Sequence, residues 1–167
     1  SNGASTSGGR SADQDKEDRI EDQFRQIRAN LSSEINQGLA EVERDGDSII
    51  IRLAEQGSFS SGLALLQASF MDLLDNVGAS LSGASGLIQI EGHTDNVPMG
   101  FGSRYRDNWD LSSARSASVA DYLLENGYVS PGNMVVMGLA DTRPLQTNDT
   151  ALGRAANRRI EIIVKND

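Results

Sequence analysis

The chain has 167 residues, room for one ordinary domain and an appendage. Its formal net charge is -9, from 24 Asp and Glu against 15 Lys and Arg, which argues against nucleic acid and against an anionic membrane surface as partners. With no cysteine, it has no disulfides, no thiol catalysis and no thiolate metal site.

Residues 1–15 begin SNGASTSGGRSADQ, with no large apolar side chain. Such a segment buries too little surface to offset its ordering entropy, and it reads as a flexible linker. Residues 16–45 form a second region. Ile20, Phe24, Ile27, Leu31, Ile35 and Leu39 recur every three or four positions, the mark of one apolar helix face, and the helix is expected over Lys16–Gly38. That face serves either its own domain or a partner helix. The segment RDGDS then has turn chemistry.

From residue 46 to 167 the periodicity changes to that of an α/β domain. Ser48–Leu53 (SIIIRL) reads as a strand. Leu63, Leu66, Phe70, Leu73, Leu74 and Val77 mark a helix, with Ser60 or Ser61 available as its N-cap. A Gly/Ser loop, GASLSGASG, leads to a strand over Leu87–His93. A helix carrying Val119, Tyr122 and Leu123 follows, with Asn126-Gly127 as its C-cap signal. NMVVMGLA and RRIEIIVK complete four strands. The order β-α-β-α-β-(loop or short helix)-β predicts an α/β (α+β) two-layer sandwich: a mixed four-stranded sheet with helices on one face, preceded by the N-terminal helix. No apolar run approaches the length of a membrane span.

The chemistry concentrates in GHTDNVPMGFGSRYRDNWDLSSARS, Gly92–Ser116, which holds the only His and the only Trp. A Ser-His-Asp triad is poorly supported, because His93 and Asp95 share a side only while the strand continues, and no Gly-x-Ser-x-Gly elbow occurs. A lone His without Cys makes a poor zinc set, the glycines match neither a P-loop nor a dinucleotide fingerprint, and no metal or cofactor is expected. His93 reads as structural. Asp95 past a strand end, Asp110 at a helix start and Arg115 in its first turns suit a zwitterion, whose ammonium meets the carboxylate and whose carboxylate meets the guanidinium fork. On the residues alone, a plain Asp95–Arg115 surface salt bridge remains the alternative.

Four motifs in order, IEGHTDNVP, NWDLSSARSASVADYLLENG, VVMGLADTRPL and GRAANRRIEIIV, resemble the OmpA-like peptidoglycan-binding domain over about Ser48 to Lys165. HTDNVP with RDNWDLSSARS is most similar to the B subunits of the flagellar motor stator, MotB and PomB. Ser116 stands where the family usually has Ala. The resemblance implies non-catalytic binding of the diaminopimelate stem peptide of peptidoglycan. Asp95 would take the ammonium and Arg115 the carboxylate. Thr94, Asn108 and Leu111 would line the pocket, and Arg158 would be a supporting Arg, with Asn157 and Arg159 less firmly placed. Trp109 is expected to pack under the loop. The resemblance also implies a homodimer, and a stator A subunit (MotA or PomA) reached through a membrane segment that this sequence does not contain. Flagellar basal-body ring proteins are further candidate partners. The location implied is the periplasmic domain of a single-span inner-membrane protein. The alternative home is the anchor domain of an outer-membrane or secretion-system protein.

Overall fold

A computed structural model of the chain describes residues 11–166. The first ten residues of the expected linker lie outside the described residues. Helix α1 (Ala12–Asn30) starts earlier than Lys16, because Ser11 caps it by accepting the Gln14 N–H at 3.1 Å, and Asp13 and Asp15 sit in its first turn. The helix does not run on to Gly38. Leu31 leaves helical geometry (φ -103°, ψ 14°), and a short α2 (Ser32–Asn36) follows before Gly38, at φ +74°, turns the chain.

The sheet has five strands, not the expected four. The extra strand is β1 (Ala40–Asp45), AEVERD, which pairs antiparallel with β2 (Ser48–Ala54). Its charges hid it from a pattern reading, since Glu and Asp are poor strand formers. At a sheet edge those charges are an asset, because they discourage pairing with another chain. Asp45 opposes Ser48 across a two-residue loop, and Gly46 at φ +59° supplies the backbone that such a hairpin turn needs.

Helix α3 (Ala68–Leu81) starts later than the expected Ser60 or Ser61. Leu66 instead bridges to Phe59 as an isolated strand pair, and the Ser60 N–H reaches the Leu65 carbonyl at 3.1 Å. The helix also takes in Gly78–Leu81, the first half of the expected Gly/Ser loop. Strand β3 (Leu87–His93), helix α4 (Asn108–Glu125), strand β4 (Met134–Gly138), the short α5 (Ala151–Asn157) and β5 (Arg159–Lys165) complete the chain. The strand order is β1-β2-β5-β3-β4. Only the β3–β4 pair is parallel, with α4 as its crossover.

Strand periodicity sends Ile49, Ile51, Leu53, Ile88, Ile90, Ile160, Ile162 and Val164 to one face. There they meet Phe70, Leu74 and Val77 of α3 and Val119 and Leu123 of α4. Ile20, Ile27 and Leu31 join the same cluster, so the N-terminal helix packs on its own domain. Polar clasps reinforce it: Arg44 reaches Glu17 at 2.8 Å and Glu21 at 2.9 Å, and Lys16 reaches Asp47 at 3.1 Å. Two glycines let α4 lie directly on the sheet. A Cβ at Gly92 would come within 2.2 Å of the Ser112 carbonyl oxygen, and one at Gly138 within 2.1 Å of Ser113 Oγ. Among the described residues, no helix is long and apolar enough to cross a membrane.

The docking of α1 predicts that Ile27→Ala costs about 2–5 kcal/mol, as for other buried aliphatic truncations. Urea denaturation followed by tryptophan fluorescence and by circular dichroism should show one cooperative transition moved to lower urea. An unchanged midpoint would mean that the helix contributes nothing to the domain.

Candidate functional site

Four elements converge where β2 and β3 end and α4 and β5 begin. Strand β3 runs out at His93, and Thr94 is tied to the turn after β4 by its N–H, which donates to the Ala140 carbonyl at 2.9 Å. Asp95 follows, 7 % exposed. Its Oδ1 accepts the Val97 N–H at 2.9 Å and so shapes the following turn, while Thr94 Oγ1 donates to the Asp95 carbonyl at 2.7 Å. Helix α4 is capped by Asp107, whose carboxylate accepts the Asp110 N–H at 2.8 Å. Asp110, in the first turn of the helix, accepts the Arg106 N–H at 3.0 Å. Asn108 closes the loop by donating to the Val97 carbonyl at 3.0 Å.

Arg115 lies two turns into α4 and is 6 % exposed. It does not face Asp95 as a direct partner. Its Nε donates to the Leu63 carbonyl at 2.8 Å, its Nη1 to Glu55 Oε1 at 2.8 Å, and its guanidinium sits 4.8 Å from the centre of the Phe59 ring. Asp95 is paired instead with Arg158, Nη1 to Oδ2 at 2.8 Å. Glu55 joins the two halves, because its other oxygen accepts from Arg158 Nε. The simple Asp95–Arg115 pair is therefore replaced by a chain of alternating charge, Asp95–Arg158–Glu55–Arg115.

Glu55 is a site residue that the sequence pattern does not single out: it stands just past the end of β2, in EQGSFSSG, which has neither strand nor helix periodicity. The signal available was charge balance: two arginines near one aspartate leave one positive charge to be matched. Burial opposes the charge on Arg158, but hydrogen bonds to Asp95 and Glu55 outweigh it and raise its pKa above the ordinary arginine value.

These groups floor a cavity of about 330 Å³. Thr94, Asp95, Asn108, Leu111, Arg115 and Arg158 all line it, together with Glu55 and the turn from Val97 to Gly100. Leu111 is buried beneath it. A larger groove, about 760 Å³, lies between β1 and α5 and shares only Glu55 and Arg158 with this cavity. Trp109 does not pack under the loop: it is 52 % exposed, on the outer side of α4. Asn157 is fully buried and holds a backbone turn, accepting the N–H groups of Leu145 and Gln146 at 2.8 and 2.9 Å.

On the face of the sheet away from α3 and α4, Arg159, Glu161, Glu91 and His93 form a second polar cluster. His93 Nε2 lies 3.1 Å from Glu91 Oε1, and Arg159 Nε donates to Glu161 at 2.6 Å. Ligand atoms of Glu91, His93 and Glu161 come within 4.8 Å of one another. The carboxylates there already carry cationic and amide partners, with Arg159 on Glu161 and Gln89 on Glu91. The His93 hydrogen bond holds the Glu91 carboxyl below the usual carboxylate range.

Two measurements follow. Glu55→Gln keeps shape but takes the charge from both guanidiniums, and should destabilise by about 1–3 kcal/mol. That loss should exceed the loss from Asp95→Asn, because Asp95 serves one guanidinium only; equal denaturation midpoints for the two variants would contradict a bridging Glu55. Glu91 has a lowered folded pKa, so its contribution is present above the ordinary carboxylate value and is lost as pH falls through the folded value. Stability measured from pH 6 downward should therefore fall less steeply in Glu91→Gln than in the parent.

The OmpA family profile matches residues 58–158, more than half of the chain. The chain is 29% identical to Motility protein B of Bacillus subtilis over 74% of its own length and 48% of that protein. It is 36% identical to peptidoglycan-binding protein ArfA of Mycobacterium tuberculosis over 63% of its length and 30% of that protein. The chain thus spans half or less of these relatives. Among solved structures it resembles the cell wall anchor of the type VI secretion system from Pseudomonas aeruginosa, with a TM-score of 0.78, 33% identity, and coverage of 84% of this chain and 97% of that one. A MotB-like protein from Desulfovibrio vulgaris has the same fold, with a TM-score of 0.85, 24% identity, and coverage of 92% and 98%.

Proposed function

As the chain belongs to the OmpA family, we propose that it is a non-catalytic anchor that binds peptidoglycan through the cavity above Asp95, Arg158, Glu55 and Arg115. One observation carries this reading. Two carboxylates and two guanidiniums alternate on the floor of one cavity and leave it nearly neutral overall. Such a floor is matched by a ligand that brings one ammonium and one carboxylate, since each end finds an opposite charge and neither is left unpaired. The diaminopimelate residue of a stem peptide has both groups on one short chain.

Asp95 takes the ammonium in this reading. The ligand carboxylate takes the guanidinium edge, with Arg158 the more accessible of the two arginines at 35% side-chain exposure. Thr94, Asn108 and Leu111 shape the walls. The Asn108 and Asp95 hydrogen bonds hold the turn after β3, so the walls are set before the ligand arrives. In this reading the polymer is bound and left intact.

Within the family, the HTDNVP and RDNWDLSSARS stretches favour the stator B subunit. The protein would then sit in the periplasm, work as a homodimer, and join a stator A subunit and the basal body through a membrane segment outside this sequence. The 33% identity to a secretion-system anchor supports a second reading in which the same domain tethers a different machine. Both readings share the wall-binding step.

Co-sedimentation with purified sacculi tests that step. Asp95→Asn and Arg115→Lys should each weaken binding by about 2–3 kcal/mol, the first through lost charge and the second through lost fork geometry. Release of soluble muropeptides would overturn the non-catalytic reading. Unchanged binding in both variants would overturn the site.

A further inference from the structure

A single loop surrounds the Arg115 guanidinium. Between β2 and α3, residues 55–67 present to it the Glu55 carboxylate, the Phe59 ring and the Leu63 carbonyl. The loop is closed on itself: Phe59 and Leu66 form an isolated bridge, and the Gln67 N–H donates to the Ser58 carbonyl at 2.9 Å. It is also fastened to α4 beyond Arg115, where Ser118 Oγ donates to the Ala64 carbonyl at 2.7 Å.

Hydrogen bonds made by a guanidinium run close to its own plane, because its N–H groups do. The bonds from Nε to Leu63 and from Nη1 to Glu55, each 2.8 Å, therefore fix where two nitrogens lie and resist tilting of the plane only weakly. The third nitrogen adds no restraint, since Nη2 is buried and has no hydrogen-bond partner among the described residues. The Phe59 ring supplies what is missing. The guanidinium carbon stands over it, 4.8 Å from its centre. Both side chains belong to residues only 6 % exposed, and a cation over an aromatic face is held more strongly when water is kept away. The ring is itself set from behind. It lies 5.3 Å from the Phe70 ring at a tilt of 58°, and Phe70 is buried in the core under α3.

We propose that Phe59 is a positioning residue of the site: its electron-rich face, held by Phe70, sets the tilt of the Arg115 guanidinium and with it the strength of carboxylate binding. Order in the core is passed to the cavity floor through two rings. The binding half of this inference rests on the peptidoglycan-binding reading. The tilt of Arg115 does not.

Fluorine on the ring separates this role from packing, because it drains electron density from the aromatic face and keeps the side chain apolar and nearly the same shape. The probe is diaminopimelate-containing sacculi, at a temperature where circular dichroism shows each protein fully folded. Protein with pentafluorophenylalanine in place of Phe59 should bind about fivefold more weakly than the parent, the scale of one desolvated cation–ring contact. Phe59→Leu, apolar but without a ring, should bind at least as weakly. A merely structural Phe59 lowers the melting temperature of Phe59→Leu and leaves the affinity of both folded variants at the parent value. Parent-like binding by either variant overturns the positioning role. NMR relaxation of the Arg115 Nε–H group gives a reading that needs no ligand: its order should fall in both variants, and unchanged order overturns the control of tilt by Phe59. Should the parent fail to bind sacculi, the anchor reading falls, and the relaxation measurement alone then decides whether Phe59 orients Arg115.

Discussion

The structure depends on the last strand lying in the middle of the sheet. β5 pairs antiparallel with β2 on one side and β3 on the other, so neither neighbour has a complete ladder until the C-terminus is in place. The alternation of β5 then does two jobs at once. Ile160, Ile162 and Val164 close the helix-covered core, while Arg159 and Glu161 carry the polar cluster on the opposite face. Arg158, at the turn from α5 into the strand, points to neither and reaches the cavity above Asp95. Its partner Glu55 is 103 positions away in sequence, which makes the site a product of the completed fold.

Glu55 shows how charge is managed in a partly buried site. Two guanidiniums next to one cavity would repel each other and lose solvation. One carboxylate shared between them, with Asp95 beyond, makes an alternating row in which every charge has an opposite neighbour. Such a row sets carboxylates and guanidiniums alternately along the floor of one cavity. It also explains why Arg115 can sit so deep: it has a carbonyl, a carboxylate and the Phe59 ring around it.

The N-terminal helix belongs to the same body as the sheet. Its apolar stripe enters the common core and its acidic side is held by Arg44 of the edge strand. The edge strand in turn exists because Gly38 and Gly46 let the chain reverse on either side of it. The approach of α4 to β3 has a comparable local origin. Gly92 and Gly138 remove the side chains that would hold the helix off the sheet, and Arg115 is brought down to the level of Glu55. Ser116, fully buried there, lies 2.7 Å from the Met137 carbonyl, so its hydroxyl is used where the family usually has a methyl.

Much of this protein was determined by its sequence taken alone. Period-two and period-3.6 patterns marked four of five strands and three of the helices, and the order of four motifs identified the family. That Thr94, Asn108 and Leu111 would share a pocket with Asp95 was implied by the family resemblance, and the structure brings the four together. What the pattern could not carry was anything that depended on distant partners. The strand AEVERD is too charged to be read as one until it has β2 beside it and solvent at its edge. The split of Lys16–Gly38 into two helices at Leu31, which is fully buried in the core, has no helix-breaking residue to announce it. The pairing of Asp95 with Arg158 and the bridge through Glu55 to Arg115 were decided only by the tertiary structure. Charge and periodicity say which groups need a partner, but which partner each receives depends on how the sheet closes around its last strand.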